Sequence, residues 1–293
     1  MLVIGSRGSK LALWQANYVK DRLEALGEQC RIEIISTAGD RFQSGPLKQI
    51  GNKGLFTKEF EDALLDSRID IAVHSLKDMP TEIPDGLQLT ATPEREDARD
   101  VMIGRTLDEL TLGARVGTGS LRRGAQLKAA RPDLVVEGIR GNVDTRLRKL
   151  DEGQFDAIVL AAAGLNRLGW SDRIAQYLPV EFMCPAVGQG SLAIETRSDN
   201  GPGTQACARL DHAPTHACVR AERAVLAVLG GGCQVPIGAH ATIESDTLHL
   251  RAIVISPDGS HLVKSEAFGL DPVKLGSALG QELLDKGARG ILG

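Results

Sequence analysis

Three times between residues 114 and 169, a short apolar run ends in a glycine-bearing turn that opens onto a helix start carrying arginine. The runs are 114–117, followed by Thr118-Gly119-Ser120-Leu121-Arg122-Arg123; 134–139, followed by Arg140-Gly141-Asn142-Val143-Asp144-Thr145-Arg146; and 155–163, followed by 164–169 with Arg167, a turn or helix. Strands alternating with helices in this way predict an α/β fold with a parallel, doubly wound sheet. In such sheets ligands bind at the carboxyl ends of the strands. The arginines therefore converge where a ligand is expected.

The first ninety residues have the same grammar. Residues 1–5 read as a strand and 5–9 as a tight loop. Ser9 reads as the N-cap of a helix whose apolar side includes Leu11, Trp14, Tyr18, Leu23 and Leu26, closing at Gly27. Arg7 falls between a strand end and a helix N-terminus, an arrangement that favours anions. A strand at 31–36 leads into a long Gly/Pro-punctuated loop, 37–54, read as a lid or active-site loop carrying Lys53, and then into a helix at 55–66. The stretch 69–80 begins as a buried strand and changes abruptly to His74, Ser75, Leu76, Lys77 and Asp78 before Pro80 stops it. Residues 86–90 form a further strand. The charged stretch 93–100 reads as a connector and candidate hinge to the next lobe.

A chain of 293 residues exceeds one ordinary domain, so two or three are expected. Residues 184–190 lead into a strand at 191–196 that crosses back to the first lobe. A helix at 217–229, strands near 240–243, 248–256 and 261–268, and a helix at 272–286 suggest a small α+β domain. The expected domains are residues 1–95 with 191–210, residues 98–188, and residues 213–293. The formal net charge of −4 gives no general attraction to nucleic acid or an anionic membrane. No apolar run approaches the roughly 18 residues of a membrane span, and Arg7 and Lys10 precede any signal-like segment, so a soluble cytoplasmic protein is expected. No coiled coil or long apolar face is evident, and a monomer is expected.

Five cysteines, Cys30, Cys184, Cys207, Cys218 and Cys233, lack any C-x-x-C spacing, which argues against a disulfide framework or a zinc site. His212 and His216 stand four apart with Pro214 between them and no further ligand, so no metal is expected. Cys233 follows three glycines on a sterically open loop where a thiol is reachable. Guanidinium groups bind carboxylates in bidentate fashion, and no turn matches a P-loop or dinucleotide fingerprint. The expected ligand is thus a small molecule rich in carboxylates or phosphates. A two-lobed organic-anion binding protein, or a sugar-phosphate or acyl-transfer enzyme using Cys233, would share some of these features.

Seven segments taken together are more specific. They are Leu11-Ala12-Leu13-Trp14-Gln15-Ala16, residues 51–56, Val73-His74-Ser75-Leu76-Lys77-Asp78, residues 116–123, Arg140-Gly141-Asn142-Val143, residues 185–190 and Gly231-Gly232-Cys233-Gln234-Val235-Pro236. In order, and over nearly the whole chain, they resemble the porphobilinogen deaminase (hydroxymethylbilane synthase) family. The resemblance implies two domains like those of a periplasmic binding protein, hinged around a cleft, and a small third domain. It implies a dipyrromethane cofactor held as a thioether to Cys233, on which four porphobilinogen molecules condense head to tail with loss of ammonia. The growing polypyrrole is then released by hydrolysis as a linear tetrapyrrole. Each pyrrole carries an acetate and a propionate, which accounts for arginines without a nucleotide motif.

By the same resemblance Asp78 is the catalytic carboxylate, steadying positive charge as ammonia leaves. Cofactor contacts are implied for Lys77, Asp78, Thr118, Ser120, Arg122, Arg123, Arg140, Gly141 and Gln189. Substrate contacts are implied for Arg7, Ser9, Lys53, Arg140, Arg146 and Arg167. Two positions depart from the family pattern. Gln49 stands where a second loop lysine is frequent, with Lys48 beside it, and Gly119 replaces a common serine.

Overall fold

The computed structural model describes residues 1–38, 57–230 and 236–292. The chain divides into two compact units, Met1–Arg95 with Ser191–His216, and Glu96–Gly190 with Ala217–Gly293.

In the first unit, β1 (Leu2–Ser6), β2 (Cys30–Ile34), β3 (Ile71–Ser75), β4 (Leu87–Ala91) and β10 (Leu192–Arg197) form one sheet in the order β2-β1-β3-β10-β4. The parallel arrangement predicted from the sequence holds for β2, β1 and β3. It does not hold for β10, which inserts between β3 and β4 antiparallel to both. Side chains alternate across the sheet. Ile71 and Val73 join Ile4, Ala16, Val19 and Leu23 beneath α1 (Lys10–Ala25). Ala72 joins Phe60, Ala63 and Leu64 of α2 (Lys58–Leu65) on the other face. Burial of this kind contributes roughly 1.5–3 kcal/mol per large apolar side chain.

The predicted cap of α1 is present: Ser9 Oγ accepts from the Ala12 amide at 3.3 Å, and Gly27 takes φ +91° just past the helix end. The predicted inner face holds in part: Leu23 is buried and Tyr18 packs against the core, but Gln15, Ala16 and Val19 are the other buried positions and Leu26 is exposed. Gln15 is buried because it has a partner at the sheet, which a hydrophobicity pattern does not register. Short helix α6 (Pro202–Ala208) has proline in its first turn.

In the second unit, β5 (Asp100–Ile103), β6 (Arg115–Gly117), β7 (Val135–Glu137), β8 (Ala157–Ala161) and β9 (Ile174–Tyr177) form a sheet in the order β7-β6-β8-β5-β9. The layout repeats that of the first: β7, β6 and β8 are parallel, and β5 inserts antiparallel to β8 and β9. Met102, Val116, Leu127 and Val159 line one face, against α3 (Leu121–Ala130). Val101, Ile103, Ile158 and Leu160 line the other, with Leu147 of α4 (Val143–Asp151) and Leu165 of α5 (Ala162–Arg167). Residues 164–169 are thus mostly helical. The charged connector expected over 93–100 ends in a strand, because Asp100 is buried against arginines of α3.

The rest of the second unit is α7 (Ala213–Leu229) from Ala217 onward, an antiparallel meander of β11 (Ile237–Glu244), β12 (Thr247–Ile255) and β13 (Leu262–Gly269), and α8 (Pro272–Leu283) followed by α9 (Arg289–Leu292). Val225, Leu229, Leu250, Ala252, Leu279 and Leu283 form its core. Cys184, Cys207 and Cys218 are buried free thiols and Cys30 is a half-buried one. Burial pushes the thiols of Cys184 and Cys207 up to about 12, so both stay protonated and unreactive near neutrality. No helix among the described residues is long and apolar enough to cross a membrane.

Candidate active site

In the first unit the site residues gather where β1 and β3 end. These strands are parallel neighbours, so the loop after β1, with Arg7 and Ser9, opens at the same edge as the turn after β3. That turn is a single 3-10 turn, Leu76–Asp78. Leu76, 1% exposed, anchors it from below, and Met79 closes it by donating its amide to the Leu76 carbonyl at 3.0 Å. Lys77 is half-buried. Asp78 is exposed, and its carboxylate makes no hydrogen bond or ion pair with another described residue. A carboxylate left unmatched on a turn fixed from beneath can meet a ligand without first breaking a bond.

Two residues that sequence reasoning passed over hold this edge. Gln15 of α1 donates from Nε2 to Ser75 Oγ at 2.8 Å, and the Leu76 amide donates to the Ser191 carbonyl at 3.0 Å. The signal for Gln15 was available: it is an uncharged polar side chain one position from Ala16 on what proves to be the inward face of α1.

In the second unit, the ends of β6 and β7 bring together Thr118, Ser120, Arg140, Gly141 and Arg146. The Ser120 amide donates to Thr118 Oγ1 at 3.2 Å, and Ser120 Oγ caps α3 by accepting from the Arg123 amide at 3.4 Å. Gly141, at φ +113°, makes the turn into α4. Arg146 Nε donates back to its carbonyl at 2.8 Å, and Lys149 Nζ donates to the Arg140 carbonyl at 3.2 Å. Arg140 is exposed. Arg146 lies over Gly119, its Nη2 3.9 Å from where a Cβ would stand there.

Arg122 and Arg123, read from the sequence as carboxylate-binding arms, point inward. They are 4% and 5% exposed, and both meet the wholly buried Asp100. Arg122 Nη1 lies 2.8 Å from one oxygen, and Arg123 Nη2 lies 2.7 Å from the other. Gln189 donates to Asp100 at 2.8 Å and to the Ala98 carbonyl at 2.7 Å. Arg122 also donates to the Cys184 carbonyl. Burial alone would raise the Asp100 carboxyl, but the two guanidinium charges and these hydrogen bonds hold it down at about 2. Two cations against one anion leave this buried cluster with a net positive charge. Arg167, 8% exposed, donates to the Gly190 carbonyl at 2.7 Å. Lys53 and Cys233 lie outside the described residues.

Comparison with known proteins decides what these two edges belong to. Residues 2–203 match the family model described as "Porphobilinogen deaminase, dipyromethane cofactor binding domain", and residues 216–285 match "Porphobilinogen deaminase, C-terminal domain". The chain belongs to the porphobilinogen deaminase family. The porphobilinogen deaminase of Brevibacillus brevis is 52% identical over 295 residues, covering 99% of this chain and 96% of that protein. That of Trichlorobacter lovleyi is 52% identical over 297 residues, covering 99% and 95%. That of Syntrophobacter fumaroxidans is 50% identical over 297, covering 99% and 96%. Among solved structures, an ABC transporter periplasmic substrate-binding protein from Coxiella burnetii aligns over 73% of this chain and 93% of its own, at 14% identity and a TM-score of 0.46.

The matched domain is the one that binds the dipyrromethane cofactor. Its donor set suits such a group. Hydroxyls, an exposed arginine and a buried cluster with excess positive charge complement acetate and propionate side chains.

Proposed function

We propose that this chain condenses porphobilinogen into the linear tetrapyrrole hydroxymethylbilane, releasing one ammonia at each of four additions, with Asp78 as its catalytic carboxylate. Family membership over 99% of the chain supports the activity, and the exposed carboxylate of Asp78, without a partner among the described residues and set on an anchored turn, supports the role. When bound, the dipyrromethane supplies the nucleophilic pyrrole carbon on which the chain is extended. Arg140, Thr118, Ser120, Lys77 and the Arg122–Arg123–Asp100 cluster hold its carboxylates. Arg7, Ser9, Arg146 and Arg167, with Lys53, receive those of porphobilinogen and of the growing polypyrrole. Asp78 hydrogen-bonds pyrrole N–H groups and lowers the energy of the positive charge that develops as ammonia departs, a task for which an ionised carboxylate suits better than any neutral side chain.

Cys233, in the Gly-Gly-Cys-x-x-Pro loop, carries the thioether. The three separate sheets support three domains, residues 1–95 with 191–210, 98–188 and 213–293. Free thiols at the described cysteines support a reducing, cytoplasmic setting, and a net charge of −4 supports work on a small molecule rather than on nucleic acid or a membrane.

Asp78→Asn tests the role. Intact mass still shows the two-pyrrole adduct, while ammonia release from porphobilinogen falls by about two orders of magnitude or more. Near-parental turnover would remove Asp78 from the centre of the reaction. Loss of the adduct in Cys233→Ala checks the anchor.

A further inference from the structure

His74 stands four residues before Asp78 and, by the alternation of β3, faces α2 rather than α1. Its Nε2 lies 3.1 Å from Oε2 of Glu195 on β10; the imidazole is 7% exposed and the carboxylate not at all. Phe60 of α2 meets the ring edge-on, with centroids 5.2 Å apart. Glu61, from the same helix, is a second buried acid in this cluster. Burial raises its carboxyl, with Glu195 adding to the rise while Thr57 and His74 oppose it.

The cluster is costly. Glu195 Oε1 is buried with no hydrogen-bond partner among the described residues. An acceptor buried in this way forfeits its hydration, and an apolar cross-strand pair would spare that loss. Stability therefore does not account for the pair, but the strand end it grips does. The three residues ahead of Lys77 are each held by a directional bond: His74 by Glu195, Ser75 by Gln15, and Leu76 by the Ser191 carbonyl. Two of these three grips come from the single segment Ser191 to Glu195.

We propose that His74 and Glu195 are positioning residues for the reaction, their hydrogen bond setting the angle at which the 76–78 turn leaves β3 and so the direction in which Asp78 is presented. Neither touches substrate. The inference rests on the reading of Asp78 as the catalytic carboxylate.

The test compares His74→Leu, His74→Gln and the double variant His74→Leu/Glu195→Leu in steady-state turnover of porphobilinogen, with intact mass and thermal midpoint read in parallel. His74→Leu lowers kcat on the order of ten- to a hundredfold, as expected for displacement of a reacting group by an ångström or less. KM stays within about twofold, since binding energy is untouched, and the adduct mass is unchanged. His74→Gln keeps an N–H for Glu195 and recovers most of kcat. The double variant, which leaves neither member of the His74–Glu195 pair without its partner, regains the thermal midpoint but not kcat, and it decides the matter if His74→Leu alone does not fold. A kcat within about twofold of the parent in the double variant, a loss carried by KM, or failure of Gln to exceed Leu would each overturn the proposal. Asp78→Asn run alongside keeps the two questions apart, because full turnover there overturns the reading of Asp78 whatever the His74 variants show.

Discussion

Gly119 has a place that a side chain would have to force. A Cβ built there stands 2.8 Å from the Ile139 carbonyl oxygen, and backbone cannot swing aside as a flexible side chain can. A side chain at position 119 is thus crowded by the backbone just beyond β7, and Thr118 and Ser120 are the hydroxyl-bearing residues that flank it. Gly119→Ser should destabilise the protein by about 1–3 kcal/mol, the usual cost of overpacking, read as a lower midpoint in chemical denaturation. An unchanged midpoint would mean that the turn yields freely. At this scale, short-range signals were legible: Ser9 as an N-cap, Gly27 as a helix stop, 118–120 and Gly141 in turns that open onto helices, Asp78 before Pro80. What sequence did not disclose were partners far along the chain. Asp100 looks like one charge in a solvated connector until Arg122, Arg123 and Gln189 arrive from 22, 23 and 89 positions away.

Between elements, Asp100 ties the start of β5 to the first turn of α3 and to residue 189 through one buried carboxylate. Its folded value of about 2 lies below the ordinary 3.8, so between those values the unfolded chain binds more protons. The stabilisation is complete above pH 4 or so and is lost as pH falls towards 2, an effect of about 2 kcal/mol. Asp100→Asn strands two buried guanidinium groups and should cost about 3–5 kcal/mol at neutral pH. Because the variant lacks the titrating group, its deficit against the parent should shrink as denaturation is repeated from pH 4 down to pH 2. A deficit that is constant across that range would place the parent's carboxyl outside the ion triplet. The same non-local bonds explain why β5 escapes a reading that takes 93–100 as a connector, whereas β10, expected as the strand at 191–196 that crosses back to the first lobe, differs only in running antiparallel. A four-residue strand beginning with Asp carries no periodic signal, and its membership of the sheet is decided by neighbours at β8 and β9.

At the scale of the whole molecule, the sequence places 213–293 apart as a small domain, and its sheet is indeed separate, yet 217–293 is compact together with 96–190. Three contacts show why. Glu222 of α7, wholly buried, accepts from the Gly188 amide at 2.7 Å with one oxygen and from the Ala241 amide of β11 at 2.8 Å with the other. The Ala239 amide donates to the Pro185 carbonyl at 3.0 Å. Gly259, at φ +81°, brings the β12–β13 turn so close to α3 that a Cβ would stand 2.7 Å from both the Ala125 carbonyl and the Ala129 amide. Such bonds should make the three-stranded and five-stranded sheets of this unit open together, so native-state hydrogen exchange of β12 and β8 amides should report one free energy. Glu222→Ala removes the bridging carboxylate. It should expose the Gly188 and Ala241 amides to exchange and let the three-stranded sheet open about 1–3 kcal/mol more easily than the five-stranded one, whereas Glu222→Gln, which keeps one acceptor oxygen, should fall between them. Equal protection of both sheets in Glu222→Ala would show that apolar contact at Ala125, Cys184, Ile253 and Ile255 joins them without the carboxylate.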